Sequence, residues 1–223
     1  MRSVLHAAAA GAVAPTRIVC LPGAYHTAED FLAAGFDKSV RTRNLPIDLL
    51  FVDVDMQHLG DRRALERLKH EIVLPARQSG CRSLWFAGIS LGAFIALDYA
   101  ASNPGDLDGV CALAPYLGNR MLTAEIAAAP GLGAWAAEDV ADADEERRIW
   151  HFLQAQSERS RLLYLGFGRE DRFAAAHRLM AEALPPEAVD IVRGGHDWRT
   201  WTVLWDNFLD STFGTPRDRH DPT

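Results

Sequence analysis

The sequence predicts an α/β fold, with a mostly parallel central sheet of about six strands and helices on both faces. Short apolar runs alternate along the chain with segments of helical periodicity, which is typical of parallel strands joined by helices. The chain has 223 residues and 48% hydrophobic content, enough for one domain built around such a sheet. In addition, a Gly-x-Ser-x-Gly turn at residues 88–92 joins a predicted strand to a predicted helix.

The N-terminal half begins with an Ala-rich stretch at residues 1–15, which is interpreted as either a mobile leader or a poorly formed first strand. The next apolar run is stopped by the turn-forming pair Pro22-Gly23. The last helix of this half is apolar nearly all round, which predicts a central, buried position. The predicted elements are, in order, strand 17–21, strand 48–54, helix 61–75, strand 83–87 and helix 91–101.

The C-terminal half continues the alternation. Its closing helix carries large aromatic side chains at helical spacing, and these are predicted to pack in the core. The preceding helix ends at the pair Pro185-Pro186, which cannot continue it. The predicted elements are strand 107–113, strand 161–165, a helix marked by Phe173, Ala176, Met180 and Ala183, strand 188–192, and a closing helix marked by Trp198, Trp201, Trp205 and Phe208.

The chain is predicted to form a single domain over residues 1–213. Residues 116–156 do not fit the simple alternation; they are expected to form loop and helices, and a small cap is possible there. An acidic run at 138–146 within this segment is interpreted as a solvated helix entry, since carboxylates favour the positive end of the helix dipole. The polar, Pro-containing residues 214–223 are predicted to be a disordered tail.

Composition and charge exclude several classes of function. The net charge is −7 and no basic cluster stands out, which argues against nucleic-acid binding. No apolar run reaches the roughly 20 residues of a membrane span. The three cysteines are scattered and show no metal-ligand spacing, so we expect buried, reduced thiols, a cytoplasmic location and no metal. The expected partner is a small molecule.

Ser90, in Gly88-Ile89-Ser90-Leu91-Gly92, is the candidate nucleophile. A serine on a sharp turn from strand to helix is held with its hydroxyl exposed above the sheet edge. Side chains two residues before and two residues after it would collide, so glycine suits both positions. The helix that begins at Leu91 directs its N–H groups toward developing negative charge.

A serine hydroxyl needs a base, and the base needs an orienting group. His196 follows the last predicted strand on a Gly-Gly turn, which makes it the candidate base. Asp171 follows the preceding strand and is the candidate acid; the adjacent Glu170 is the alternative. Asp197 is better interpreted as the N-cap of the closing helix. The order Ser, acid, His along the chain is the one found when the nucleophile lies on such a turn.

Two backbone N–H groups are expected to form an oxyanion hole. One belongs to Leu91, directly after the serine, and the other to the loop after the first parallel strand. Ala24 is the preferred donor in that loop and Tyr25 the alternative. His26, in the same loop, is interpreted as a histidine whose hydrogen bonds are satisfied locally; the alternative is that it lines the pocket.

These residues resemble a known family. The turn at residues 88–92 resembles the nucleophile elbow of α/β-hydrolases, and residues 194–198 (GGHDW) are similar to the histidine loop of the esterase D and enterochelin-esterase group. The resemblance covers roughly residues 17–213 and implies hydrolysis of esters or thioesters. The family's usual first hairpin has no obvious counterpart before Arg17, and Pro22-Gly23 stands where many relatives have His-Gly.

The sequence thus predicts a serine hydrolase that cleaves a carboxylic ester through an acyl-enzyme, without metal or organic cofactor. Ser90, His196 and Asp171 would form its catalytic triad, and Leu91 and Ala24 its oxyanion hole. A thioesterase or acyltransferase with the same triad is the enzymatic alternative. A hydrolase fold used only for binding is the non-enzymatic alternative.

Overall fold

The computed structural model describes residues 1–8, 13–54, 63–135, 144–155 and 163–214. Within these residues one sheet has seven strands in the order β1-β3-β2-β4-β5-β6-β7. All neighbouring strands are parallel except β1 and β3, so the prediction of a mostly parallel sheet is confirmed. The strands are β1 (Ser3–His6), β2 (Thr16–Leu21), β3 (Ile47–Val52), β4 (Ser83–Ile89), β5 (Gly109–Leu113), β6 (Leu163–Gly168) and β7 (Val189–Val192).

Helices cover both faces of the sheet, as predicted. The helices of the described residues are α1 (Ala28–Ala33), α2 (Phe36–Thr42), α3 (Arg63–Leu68), α4 (Leu74–Gln78), α5 (Leu91–Ser102), α6 (Arg120–Ala128), α7 (Glu145–Ala155), α8 (Ala174–Ala181) and α9 (Trp198–Thr212). A π-helical turn, Lys69–Val73, joins α3 to α4. The residues of α1, α2 and α9 form one apolar layer, and those of α3 to α8 form the other.

The seventh strand resolves the two interpretations of the N-terminus. Residues 3–6 form β1, which pairs antiparallel with β3 in the register Ser3↔Val52 to His6↔Leu49. The first residues are therefore an edge strand, and the leader interpretation is wrong for them. Residues 9–12 of the same stretch lie outside the described residues.

The sequence did not reveal α1 and α2, which lie between β2 and β3. Both are short, and Gly35 separates them at a φ of +84°, so neither shows a sustained helical period. One local signal was present: the Asp30 carboxylate accepts a hydrogen bond from the Thr27 N–H (2.8 Å), as in a capping box. Phe31 and Phe36 bury this corner, with ring centroids 5.0 Å apart.

Helix α5 is buried on nearly all sides, as its composition predicts; residues 92–99 are all buried. The three cysteines are buried and free, which agrees with their interpretation as small core residues. In the part of the chain that the structure describes, no helix is long and apolar enough to cross a membrane.

Helix α7, within the 116–156 segment, packs on α5. The Arg148 guanidinium contacts the buried Asp98 carboxylate at 2.7 Å, and the Trp150 Nε1–H donates to the Leu117 carbonyl at 2.8 Å. Burial raises the pKa of Asp98, although Arg148 opposes that rise. Removal of either charge would leave the other without its partner at this contact. Residues 136–143 and 156, which include most of the acidic run, lie outside the described residues, as do residues 215–223 of the predicted tail.

The parallel strands place their carboxyl ends at one edge of the sheet. The loop after β2, the turn after β4, and the loops after β6 and β7 all meet there. In open α/β sheets ligands bind at this edge. The predicted nucleophile, acid and base lie on three of these four connections.

Candidate active site

Ser90 lies on the turn between β4 and α5, with φ +53° and ψ −110°. This backbone conformation is rare for a residue with a side chain, and the surrounding structure holds it in place. The Ser90 N–H donates to the Leu113 carbonyl at 2.9 Å. The Ser90 carbonyl accepts from the N–H groups of Phe94 and Tyr116, each at 3.1 Å. The turn is thus fixed by bonds on both sides of the serine.

The two glycines of the motif have the role that the sequence predicts. A Cβ at Gly88 would lie 2.3 Å from the Ala93 nitrogen, and a Cβ at Gly92 would lie 2.1 Å from the Leu21 carbonyl oxygen. Both contacts are with backbone atoms, which cannot move aside cheaply. Any side chain at either position would therefore force the strand and the helix apart.

The structure brings together the side chains of Ser90, Asp171 and His196. The His196 Nδ1 lies 2.8 Å from the Asp171 Oδ2, and the His196 Nε2 lies 3.0 Å from the Ser90 Oγ. An ionised carboxylate can only accept, so Nδ1 carries the proton of the neutral ring. Nε2 is then the acceptor that faces the serine hydroxyl.

Asp171 and Glu170 have different surroundings. Asp171 is 6% exposed, and its Oδ1 accepts a hydrogen bond from the Phe173 N–H at 2.8 Å. Burial alone would raise the pKa of Asp171, but the bonds from His196 and the Phe173 N–H outweigh it and hold the pKa below its ordinary value. Glu170 is exposed, and its carboxylate accepts from the Gly194 N–H instead. Only Asp171 of the two contacts the imidazole in the described residues.

Two aromatic rings flank the His196 imidazole. The Phe173 ring lies 5.3 Å away at 82°, and the Trp201 ring 5.1 Å away at 89°, centroid to centroid. From the sequence, both residues are predicted only to pack as part of a helix, because their spacing along the chain does not indicate contact with the histidine. Trp201 is buried, so packing is part of its role. The Asp197 carboxylate accepts from the Thr200 N–H at 2.9 Å, which confirms the N-cap interpretation.

The loop after β2 forms a turn closed by a 3.1 Å hydrogen bond from the His26 N–H to the Gly23 carbonyl. Ala24 and Tyr25 occupy the middle of this turn, and Tyr25 has a φ of +65°. A Cβ built on Gly23 would lie 3.5 Å from the Ser90 Cβ, so the turn directly adjoins the nucleophile. The predicted donors Ala24 and Leu91 therefore lie on the two turns that meet at Ser90.

His26 differs from the prediction. Its Nδ1 is buried and has no hydrogen-bond partner among the described residues, so the interpretation of a locally satisfied histidine is wrong for this atom. The ring instead packs edge-on against Trp198 and Trp201, with centroids 5.2 and 5.8 Å away. His26 therefore contributes packing between the loop after β2 and the start of α9.

His177, on α8, is a buried histidine that the sequence did not single out. It is 0% exposed, and its Nε2–H donates to the Pro115 carbonyl at 2.9 Å. Pro115 immediately precedes Tyr116, whose N–H holds the Ser90 carbonyl. Burial lowers the pKa of His177 to about 4. The side chain is thus neutral at physiological pH and ties α8 to the loop beneath the nucleophile.

His177→Gln should reduce the loss of stability that the protein suffers as the pH falls from about 6.5 to about 4. The ordinary histidine pKa is near 6.5, so the unfolded chain gains a proton at His177 before the folded protein does. The neutral His177 therefore contributes fully to the free energy of unfolding above about pH 6.5. This contribution falls by about 3 kcal/mol as the pH is lowered to about 4. Urea unfolding at both pH values measures the loss. Between the two pH values, His177→Gln should lose less free energy of unfolding than the wild type. The control His70→Gln, at an exposed histidine, should lose as much as the wild type. An identical loss in His177→Gln would contradict the assignment.

Comparison with known proteins places the fold. No protein-family profile matches the chain, and no curated protein is similar to it in sequence. Solved structures are similar: the fluorophosphonate-binding serine hydrolase F of Staphylococcus aureus has a TM-score of 0.62 at 12% identity, over 90% of this chain and 84% of that one. Est1E from Butyrivibrio proteoclasticus has a TM-score of 0.59 at 12% identity, over 93% and 92%. An S-formylglutathione hydrolase from Agrobacterium tumefaciens has a TM-score of 0.56 at 14% identity, over 87% and 82%. The chain has the α/β-hydrolase fold that the sequence predicts.

Proposed function

We propose that this chain, built on the α/β-hydrolase fold, is a serine hydrolase that cleaves carboxylic esters. One observation carries the proposal: the continuous hydrogen-bonded chain from the buried Asp171 through His196 to Ser90, whose backbone is strained at the strand-to-helix turn. A histidine that served only in packing would not need a buried carboxylate on one ring nitrogen and a half-buried serine hydroxyl on the other. The names of two structural neighbours, a fluorophosphonate-binding serine hydrolase and a ferulic acid esterase, agree with this class of reaction.

The proposed mechanism follows from the tautomer. His196 accepts the Ser90 proton at Nε2 as the serine oxygen attacks the acyl carbon, and Asp171 stabilises the imidazolium that forms. Collapse of the tetrahedral intermediate expels the alcohol, which takes the proton from Nε2. Water then attacks the acyl-enzyme by the same route and releases the acid. Phe173 and Trp201, on the two sides of the ring, are placed to keep the imidazole aligned through both halves of the cycle.

The proposed oxyanion hole consists of the Leu91 and Ala24 N–H groups, with Tyr25 as the alternative to Ala24. The start of α5 supplies the first donor, and the turn that adjoins Ser90 supplies the second. Donors that face a developing oxyanion typically contribute about 3–4 kcal/mol each to the transition state.

We further propose that residues 1–213 form a single domain and that residues 116–156 border the site as a small cap. Tyr116 supports the second point. Its ring lies 6.2 Å from Phe173, and its hydroxyl donates to the Glu146 carboxylate of α7 at 2.9 Å. The segment thus contacts Phe173, one of the two aromatic rings that flank His196. A cytoplasmic location remains a prediction from the scattered cysteines.

A fluorophosphonate probe tests the nucleophile directly. Folded protein should be labelled covalently in a stoichiometric reaction, because the probe captures a serine activated by an adjacent base. Intact-protein mass spectrometry followed by peptide mapping measures the label and its position. Heat-unfolded protein should remain unlabelled. Failure of the folded protein to label would remove the serine-hydrolase proposal and favour the binding-protein alternative.

A thioester is the second candidate substrate, since the name of one structural neighbour describes hydrolysis of an S-formyl compound. The same three side chains would serve that reaction. Turnover of an acyl-CoA compared with an aryl ester of the same acyl group separates the two. A higher kcat/KM for the acyl-CoA, after correction for leaving-group reactivity, would favour the thioesterase.

A further inference from the structure

The loops that carry Asp171 and His196, together with the first turn of α9, carry a group of arginines, which we call the arginine rim: Arg169, Arg172, Arg193 and Arg199. All four side chains belong to exposed residues, and none has an ion pair in the described residues. Carboxylates pair with arginines at many other places, namely Arg2, Arg17, Arg41, Arg43, Arg67, Arg77, Arg147 and Arg148. Among the other described arginines, Arg82, Arg120 and Arg178 also lack an ion pair. The chain has a net charge of −7, so carboxylates outnumber the basic side chains. Even so, most of the described arginines without an ion pair lie within residues 169–199.

The carboxylates of the same two loops are already engaged. Asp171 accepts from His196 and the Phe173 N–H, Glu170 accepts from the Gly194 N–H, and Asp197 caps α9. Each acid thus has a local partner that is not an arginine. These carboxylates hold the backbone and the histidine in place, and none of them pairs with an arginine of the rim. The guanidinium N–H groups of the rim are therefore available to hydrogen-bond an external anion.

The arginines share one surface because the loops pack directly on each other. The Arg169 N–H donates to the Val192 carbonyl at 2.8 Å, and the β6–β7 register pairs Gly168 with Val192. Arg169 and Arg193 therefore directly follow paired residues of the adjacent strands β6 and β7. Like charges side by side on neighbouring strands repel. Arg193 and Arg199 line one cavity of about 570 Å³ together with Gly194 and with Asp197, whose carboxylate is bound to the Thr200 N–H. An anion in this region would relieve the repulsion.

Arg172 connects the rim to the reacting groups. Its guanidinium carbon lies 4.8 Å from the centroid of the Phe173 ring, on which it stacks, and that ring contacts His196. Stacking on an aromatic face holds the planar fork of an arginine in place while its N–H groups stay free to bind. His196 must hand its proton to the departing oxygen, so the leaving alcohol departs on the side of the loop that bears the histidine. Arg193 lies on that loop, three residues before His196.

We propose that the arginine rim binds an anionic group, a carboxylate or a phosphate, on the alcohol portion of the ester substrate. This inference rests on the proposed function. It adds the class of leaving group to the proposed function, with Arg172 on one loop and Arg193 on the other as specificity-determining residues. The charge of the rim would also raise the encounter rate for such substrates at low ionic strength.

Matched aryl acetates test the inference. The anionic probe is para-acetoxybenzoate, its neutral counterpart is the methyl ester of that compound, and para-acetoxyphenyl phosphate represents a phosphate. The measured quantity is the ratio of kcat/KM for each anionic probe to that for the neutral one, so that effects common to all substrates cancel. In Arg172→Gln or Arg193→Gln we expect the ratio to fall about 5- to 10-fold, as for loss of a partly screened charge-assisted bond.

Three comparisons sharpen the result. Arg82→Gln, at the opposite edge of the sheet, should keep the wild-type ratio, and Arg172→Lys should retain part of it because the charge remains without the fork. The wild-type ratio should also fall as NaCl rises from about 0.05 M to about 0.5 M. A larger fall for the phosphate or for the carboxylate probe would identify the anion.

The inference is overturned if both glutamine variants keep the wild-type ratio, or if Arg82→Gln lowers it equally. Failure of the proposed function would look different: the wild type would hydrolyse none of the probes. Calorimetric binding of para-acetoxybenzoate to Ser90→Ala, with and without Arg172→Gln, then still tests the rim. Equal affinity in the two proteins would overturn it.

Discussion

Ser90→Ala should abolish ester hydrolysis, lowering kcat for para-nitrophenyl acetate by about 10⁴- to 10⁶-fold. The reason is chemical and not structural. The strained turn is held by backbone bonds from the Ser90 N–H and to its carbonyl, and alanine keeps both. Only the hydroxyl that faces the His196 Nε2 is lost. Steady-state kinetics and fluorophosphonate labelling both measure the effect, and the label should disappear.

The matched control is Ser211→Ala, which removes an exposed hydroxyl on α9. It should keep wild-type turnover and labelling. The free energy of unfolding of both variants should match that of the wild type within about 0.5 kcal/mol, the usual range for a change that removes no packing. Turnover by Ser90→Ala above about a hundredth of the wild-type rate would show that another group is the nucleophile.

Asp171→Asn should lower kcat/KM by about 10³- to 10⁴-fold while the protein stays folded. An asparagine amide can present N–H groups to the His196 Nδ1, so the ring then holds its proton on Nε2. In that tautomer Nε2 can no longer accept the proton of Ser90. The low pKa of Asp171 keeps the carboxylate ionised across the neutral range, so the wild-type protein avoids this state.

Glu170→Gln is the paired variant, since the two acids are adjacent and only one contacts the imidazole. Glutamine retains an acceptor for the Gly194 N–H, so we expect a loss of less than about tenfold from slight loosening of the histidine loop. The comparison is made on one aryl ester under identical conditions. Equal activity in the two variants would mean that neither carboxylate orients the histidine.

Much of the fold and of the site follows from local patterns in the sequence. The strands of the parallel sheet are short apolar runs with clear turn signals, so all six were located. Because carboxyl ends of parallel strands meet at one edge, residues directly after three of those runs could be expected to converge. Ser90, Asp171 and His196 do converge in the structure.

Other features depend on contacts between distant segments and left no local pattern. Helices α1 and α2 are too short for a visible period, and β1 is defined by its pairing with β3 more than by its composition. His177 is one polar residue in an otherwise ordinary helix. The sequence also shows no basic cluster, since the arginine rim is assembled from two segments with 20 residues between them.

The distance along the chain between the reacting groups bears on how the protein folds. The hydrogen bond between His196 and Ser90 joins residues 106 positions apart. Ser90 follows β4 and His196 follows β7, and β5 and β6 lie between these two strands in the sheet. Contacts of such high sequence separation form late, after the entropy of closing long loops has been met. Hydrolysis should therefore return last during refolding, after helical circular dichroism. Recovered turnover would then report the complete assembly of the sheet, which makes the reaction itself a probe of folding.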